Sequence, residues 1–567
     1  MREPTESLSP SEAIEAGIEM IEAMGTTEAA GPADPPGRPG AVAESDARDS
    51  ATREPARTVH PQGDAGRPGR GSVALLRLAT AVPLTAVLAV AAVLRFWRLT
   101  AVGLNSDEAV YTGTAASLAG NSSLGSIFPV FRAHPVLFQA LLSLVLRVHL
   151  SDWTARAVPA AIGVAAVAMT YGLGARLYDR KAGLAAALLL AVMPYHVVVS
   201  RQVLLDGTMT LCATAALYCV VRFVERPGPG WLLAAGGMMG VTVLAKETSV
   251  ILLGGLYAFF ALTPAVRMRW RQLLPALGAM TGVAAASPLA LALADRSRTG
   301  GAYLLWQLFR RPNHPWTFYF TAVPSAVGPL LLVAVGAGLI WLRRENTWRE
   351  RLLLSWIGVP VLFFTIWPVK GFQYLLPIAP PLAVLAGRTL GRLPSLPWPV
   401  PRRVWLPRAV AAALTLAVTA SLGVSAWQRA APSHDGTFLA GSGGLPGGRE
   451  AGTWLRGHAP DGVQLLVIGP SMGNVLQFYG HRRVRALSVS PDPRARNPSY
   501  EPVANADRAL RDGEFQYVVW DSYSAKRTPF FTGKAQRLIN RYHGRAVFTA
   551  RGLGGKALVV IYQVRAT

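Results

Sequence analysis

Cysteine is almost missing from this chain: Cys212 and Cys219 are the only two in 567 residues. They stand seven apart in an apolar run, where a helix places both on one face as small hydrophobes. A disulfide framework and a cysteine zinc site are therefore excluded. Acidic residues are scarce too, 32 Asp and Glu against 56 Lys and Arg, for a formal net charge of +24. Such an excess would suit a nucleic-acid binder, but the basic residues gather in short clusters between long apolar runs, as the positive-inside rule expects. Nucleic acid is set aside as a partner. No Gly-rich phosphate loop occurs, so no nucleotide-binding motif is available. The N-terminal stretch lacks the apolar core and small-residue cleavage site of a signal peptide. It is rich in Pro, Gly, Ala, Glu and Asp, with helical spacing only in "SEAIEAGIEMIEAM", so residues 1–72 read as a disordered cytoplasmic tail.

What the chain has in quantity is apolar length. Hydrophobic residues make up 51% of it, concentrated in runs near 73–96, 135–150, 157–175, 182–200, 207–224, 231–245, 248–266, 273–293, 323–342, 352–367, 372–388 and 409–427. The basic clusters Arg176, Arg180 and Lys181; Arg222 and Arg226; Arg267, Arg269 and Arg271; Arg343, Arg344, Arg349 and Arg351; and Arg388, Arg392, Arg402, Arg403 and Arg408 are each expected on the cytoplasmic side. With the tail and the 176–181 cluster both cytoplasmic, parity requires that one of the three runs between them, 73–96, 135–150 and 157–175, does not cross. The weakest is "PVLFQALLSLVLRVHL", short, opened by proline and carrying Arg147 and His149, so it reads as an interfacial helix. The expected fold is a polytopic α-helical membrane protein of about eleven spans. After a linker at 429–446, "VQLLVIG", "FQYVVWD" and "ALVVIYQV" alternate with helical patterns such as "YEPVANADRALRDG", so 447–567 reads as an extracytoplasmic α/β domain. Its "GPSMGN" is either a turn or an anion-binding helix start.

This topology puts Asp107, Glu108, His134, Arg156, Asp206, Lys246 and Lys370 on one outer face, joined by the loop 294–322 with Trp306, His314 and Trp316. Singly, each has a bland reading: span-end charges snorkel, and Asp107 and Glu108 after Ser106 suit the first turn of a helix. Lys246 and Glu247 interrupt an apolar stretch from Trp231 to Thr263 that, at 1.5 Å per residue, makes about 50 Å of helix, too long for one span. They mark a turn at headgroup depth. Together, three carboxylates and several cations at one interface point to an anionic lipid-linked substrate.

The ordered series "NSDEAVYTG", "FRAHPVLFQALL", "SDWTARAVPAAIG", "RLYDRKAGLAAALLLAVMPYHVVVSRQVLLDGTMTL" and "TVLAKETS" resembles the membrane-embedded GT-C glycosyltransferases that use polyprenyl-phosphate sugars, among them protein O-mannosyltransferases and lipid A aminoarabinose transferases. The resemblance covers roughly 73–390. It implies Asp107 as the catalytic carboxylate that takes the acceptor hydroxyl's proton, Glu108 as its orienting or acceptor-binding neighbour, and Asp206 as a second site carboxylate. It implies Arg156, Lys246, Lys370 and Tyr374 at the donor phosphate. His134 stands where the aminoarabinose transferases carry a lysine before the proline, which leaves it and His314 open as acceptor or phosphate contacts. A divalent metal, if any, would sit on Asp107 and Asp206. The chemistry agrees with the inventory, since breaking a sugar–phosphate bond builds negative charge on the phosphate and positive charge on the ring. The expected reaction is a single displacement with inversion, moving a sugar, mannose among the candidates, to an acceptor hydroxyl on a protein, glycolipid or polysaccharide. The alternative is a polytopic transporter or flippase of a lipid-linked sugar.

Overall fold

The computed structural model describes residues 70–130, 134–295, 297–395, 405–430 and 444–565. Most of the expected tail and most of the expected linker lie outside them, and residues 70–72, counted with the tail, begin the helix Arg70–Phe96. From Arg70 to Ala430 the described chain is helical, and small residues let its helices touch backbone to backbone. A Cβ on Gly174 of the helix Asp152–Leu177 would lie 2.9 Å from Cα of Gly183 in Arg180–Val192. One on Gly387 of Ala379–Arg392 would lie 2.6 Å from the Ala182 carbonyl. Around these contacts Leu189, Leu190, Val199, Leu217 and Trp356 form one continuous core.

By length and composition four described helices can cross a membrane: Asp152–Leu177, Leu205–Glu225, Trp270–Leu293 and Trp405–Ala430. Two bent pairs raise the number to six if each is one span. Arg180–Val192 and Pro194–Ser200 meet at 60°, where Pro194 removes a backbone donor. Phe318–Val327 and Pro329–Trp341 meet at 94°. The run 323–342, expected as one span, is broken at this bend. Gly328 takes φ 100°, a conformation that favours glycine, and Pro329 then starts a new helix. The run read as interfacial forms only Leu137–Leu146, about 15 Å of helix and too short to cross.

The C-terminal region builds a five-stranded mixed sheet from β1 (Gln464–Val467), β2 (Arg483–Ala486), β3 (Tyr517–Asp521), β4 (Arg545–Arg551) and β5 (Ala557–Gln563), in the order β2-β1-β3-β5-β4. Strand β1 pairs parallel with β2 and β3, while β5 pairs antiparallel with β3 and β4. The sheet packs directly on the helical part. Leu104, Ala109 and Val203 share one apolar cluster with Leu465, Val475 and Tyr517. The Tyr479 hydroxyl accepts from the Leu104 amide at 3.0 Å and donates to Asp152 at 2.7 Å. Arg449 pairs with the same Asp152 at 3.1 Å, and the Asn474 amide donates to the Ser106 hydroxyl at 3.0 Å.

Candidate active site

The docked segment leads into the helix Ser106–Leu118. Its start is a capping box: the Asn105 side chain accepts from the Glu108 amide at 2.9 Å, and Glu108 Oε2 accepts from the Asn105 amide at 3.0 Å. Glu108 is fully buried and also accepts from Arg156 Nε at 2.7 Å, Arg156 Nη2 at 2.6 Å and the Val203 amide at 3.0 Å. Arg156 commits its remaining donors to the Leu99, Val102 and Gly103 carbonyls at 3.0, 2.8 and 2.9 Å. A guanidinium has five N–H groups, and here all five are engaged. This geometry argues against Arg156 as a phosphate ligand and, of the two roles expected for Glu108, against acceptor binding and for orienting its neighbour: both side chains are locked into each other and into the loop that leads to the helix.

Asp107 is different. Its side chain is exposed, and among the described residues it accepts no side-chain hydrogen bond. It nevertheless stands within electrostatic reach of His134, Lys246 and Arg310. Loss of hydration holds its carboxyl above the usual range, against the opposing charges of His134, Lys246 and Arg310.

Lys246 and His134 are each held by further side chains. Lys246 Nζ donates to Asp206 Oδ1 at 2.7 Å and sits 4.6 Å from the centre of the Tyr374 ring. Both charged partners are nearly inaccessible, Asp206 at the start of the helix Leu205–Glu225 and Lys246 at the end of Pro229–Ala245. His134 Nδ1 is 2.9 Å from Glu247, and its Nε2 is 3.0 Å from the Tyr303 hydroxyl, which in turn accepts from Gln307 at 2.6 Å. The expected turn at Lys246 and Glu247 is the break between Pro229–Ala245 and the short helix that begins at Glu247.

The other expected cations stand apart. Lys370 donates to the Trp367 carbonyl at 2.8 Å, its backbone is clamped by Asn313, and burial pushes its ammonium pKa down. His314 stacks on Phe318 at 4.2 Å and feels Arg527 and Lys370 rather than Asp107. These two are not brought to Asp107 by any contact among the described residues. Arg310 was missed by sequence reasoning: it lies 4.5 Å from the centre of the Trp306 ring, hydrogen bonds Gln307 at 3.2 Å and has no carboxylate partner among the described residues. The signal for it was the "FRRPNHPW" stretch, from which only the histidine and tryptophan were taken. The residues present do not fit a divalent cation. Among the described residues no three His, Cys, Asp or Glu side chains converge, Asp206 is held by an ammonium, and three cations surround Asp107.

A family model described as dolichyl-phosphate-mannose-protein mannosyltransferase matches residues 133–291. The undecaprenyl phosphate-alpha-4-amino-4-deoxy-L-arabinose arabinosyl transferase of Pectobacterium carotovorum is 30% identical over 236 residues, 39% of this chain and 42% of that protein. Its namesake from Pseudomonas aeruginosa strain UCBPP-PA14 is 28% identical over 248 residues, 40% of this chain and 43% of that protein. The chain thus matches about two fifths of the length of these relatives. Among solved structures, ArnT from Cupriavidus metallidurans bound to undecaprenyl phosphate aligns with a TM-score of 0.59 at 15% identity, covering 87% of this chain and 98% of that one. The Archaeoglobus fulgidus oligosaccharyltransferase in the apo form aligns with a TM-score of 0.55 at 15% identity, covering 86% and 74%. The fold is the one these proteins share, and the resemblance drawn from the sequence is borne out.

Proposed function

We propose that this chain is an integral-membrane glycosyltransferase that moves a sugar from a polyprenyl-phosphate donor to an acceptor hydroxyl at the outer face of the cytoplasmic membrane. The observation that carries the reading is Asp107: a carboxylate without a hydrogen-bond partner among the described residues, on which the charges of His134, Lys246 and Arg310 act, with Lys246 held by Asp206 and Arg310 beside Trp306. Asp107 accepts the acceptor's proton as the hydroxyl oxygen attacks the anomeric carbon. The bond from that carbon to the phosphate oxygen breaks on the opposite side, and the departing electron pair stays on the lipid phosphate. Arg310 and Lys246 meet the charge that grows there, with Asp206 and Tyr374 holding Lys246 in place. Glu247 and Tyr303 hold His134 at the rim. The named relatives favour an aminopentose over mannose as the transferred sugar. Proteins, glycolipids and polysaccharides remain the acceptor classes, and a panel of purified lipid-phosphate sugars tested with each class would fix both identities.

Arg310→Gln is the sharpest test of the phosphate role, because Arg310 is only partly buried and ties up no carboxylate. A charged hydrogen bond lost at the leaving group is worth about 1.5–3 kcal/mol, so kcat/KM for the lipid donor should fall by about ten- to a hundredfold at unchanged Tm. An unaltered kcat/KM would remove Arg310 from the site. Lys246→Ala should lower activity and stability together, since it strands the buried Asp206 carboxylate.

The orientation rests on the distribution of basic clusters. A cysteine placed at Arg269 should resist an impermeant thiol reagent in intact cells, while one placed at Lys526, exposed on the sheet region, should be labelled. Labelling at Arg269 would invert the proposed topology.

A further inference from the structure

A second charged feature lies beside the Glu108–Arg156 lock and has no part in the chemistry above. Arg98, Glu108, Arg156, Arg201, Gln202 and Arg429 line a cavity of about 20 Å³, room for little more than a water or one oxygen of a larger group. Four guanidiniums face it and one carboxylate does, and the acceptor positions of Glu108 are already taken by Arg156 and two backbone amides. Arg201 is satisfied by carbonyls only, those of Leu94, Arg95, Arg98 and Ala430, so its charge is not cancelled. Arg429 Nη1 is buried with no acceptor among the described residues. Arg98 has no side-chain hydrogen bond or ion pair among the described residues. Its backbone is held at φ 44°, a conformation that a residue with a Cβ adopts at a cost, so the chain turns sharply where this side chain is presented.

The depth of the cluster is marked by aromatics. Trp97, next to Arg98, and Trp427, two residues before Arg429, pack at 5.5 Å between ring centroids, and both are about half exposed. Paired tryptophans at the ends of two apolar helices are what a protein places at the boundary between acyl chains and headgroups. Uncompensated cations at that boundary attract phosphate, and a lipid brings its own acyl chains to the apolar surface beside them.

We propose that Arg98, Arg201 and Arg429 form a binding site for the phosphodiester of an anionic membrane phospholipid, separate from the Asp107 site. The site depends on the chain being embedded in a membrane and not on the transferase reading. Full-length protein purified in detergent is incubated with phosphatidylglycerol, phosphatidylcholine or inorganic phosphate. Lipid retained is counted by native mass spectrometry, and Tm is recorded in parallel. The wild type should retain phosphatidylglycerol over phosphatidylcholine and gain Tm with it. Arg98→Gln and Arg429→Gln should each lower that retention about fivefold, as expected for the loss of one cation at the headgroup level. Arg98→Lys and Arg429→Lys, which keep the charge, should restore most of it. Equal retention of the two lipids, or undiminished phosphatidylglycerol on the double Gln variant, would overturn the proposal. So would displacement of the lipid by millimolar inorganic phosphate, which would make this a free-anion site. Because both arginines lie outside the proposed transfer machinery, turnover of either Gln variant in lipid-free detergent should match the wild type; a loss of turnover there would also count against a separate site.

Discussion

Asp107→Asn should abolish transfer while leaving a folded protein. The amide keeps the shape of the side chain but has no basicity, and a positioned general base is worth about 10² to 10⁴ in rate. The sign of the stability effect can be worked out. The carboxyl is held above its usual range in the folded state by loss of hydration, so above the unfolded value the ionised form counts against folding, and that handicap shrinks as pH falls. Replacing it with an uncharged amide removes the handicap, so Tm at neutral pH should not drop. The same shift predicts the pH profile. The base must be ionised, so the acid limb of kcat/KM should lie above the ordinary carboxylate range and activity should be lost as pH falls through it. Purified Asp107→Asn turning over a lipid-phosphate sugar at near-normal rate would exclude the general-base role.

Arg156→Met should instead produce a folding defect. It leaves Glu108 buried and ionised with no counter-charge, and frees three carbonyls as well. Breaking one half of a buried ion pair costs about 3–5 kcal/mol. Glu108→Gln should fall in the same class, and the double replacement by methionines should recover part of the loss. The measurement is the yield and Tm of detergent-purified protein, with kcat and KM determined on the folded fraction. A stably folded Arg156→Met with a raised KM for the lipid donor would restore the phosphate role that its five engaged donors argue against.

The contrast between these two variants shows where sequence reading reached its limit. Asp107 and Glu108 are neighbours of the same charge, and nothing in their spacing tells which is buried. The pattern Asn105-Ser106-Asp107-Glu108 contains the capping box that holds Glu108, whereas the sequence reading reached only an acidic first turn after Ser106 for both carboxylates. The ion pair of Glu108 is with a residue 48 positions away, which depends on how two helices meet. The same holds for Lys246 and Asp206, 40 apart, both placed at the outer face by charge parity but not recognisable as partners until the helix ends converge. Arg310 went unnoticed because a cation in a loop carries no information until the loop has a place. In the sheet, β1, β3 and β5 were legible as apolar runs. Strands β2 and β4, with exposed arginines at their ends and paired on one side only, were not.

The bridge made by Tyr479 bears on how such a chain can change over evolutionary time. Its hydroxyl joins the Leu104 amide to Asp152, and Asn474 from the same helix reaches Ser106, so one helix of the sheet region holds Leu104 and Ser106 together and ties them through Asp152 to a membrane helix. The residue that follows Ser106 is Asp107. The two halves are therefore not interchangeable modules. A chimera that joined these membrane helices to the C-terminal region of a relative would inherit both parts intact and still lose the setting of the carboxylate, unless the donor sequence supplied a hydroxyl and an amide at the same two positions. Selection on one half is in that sense recorded in the other.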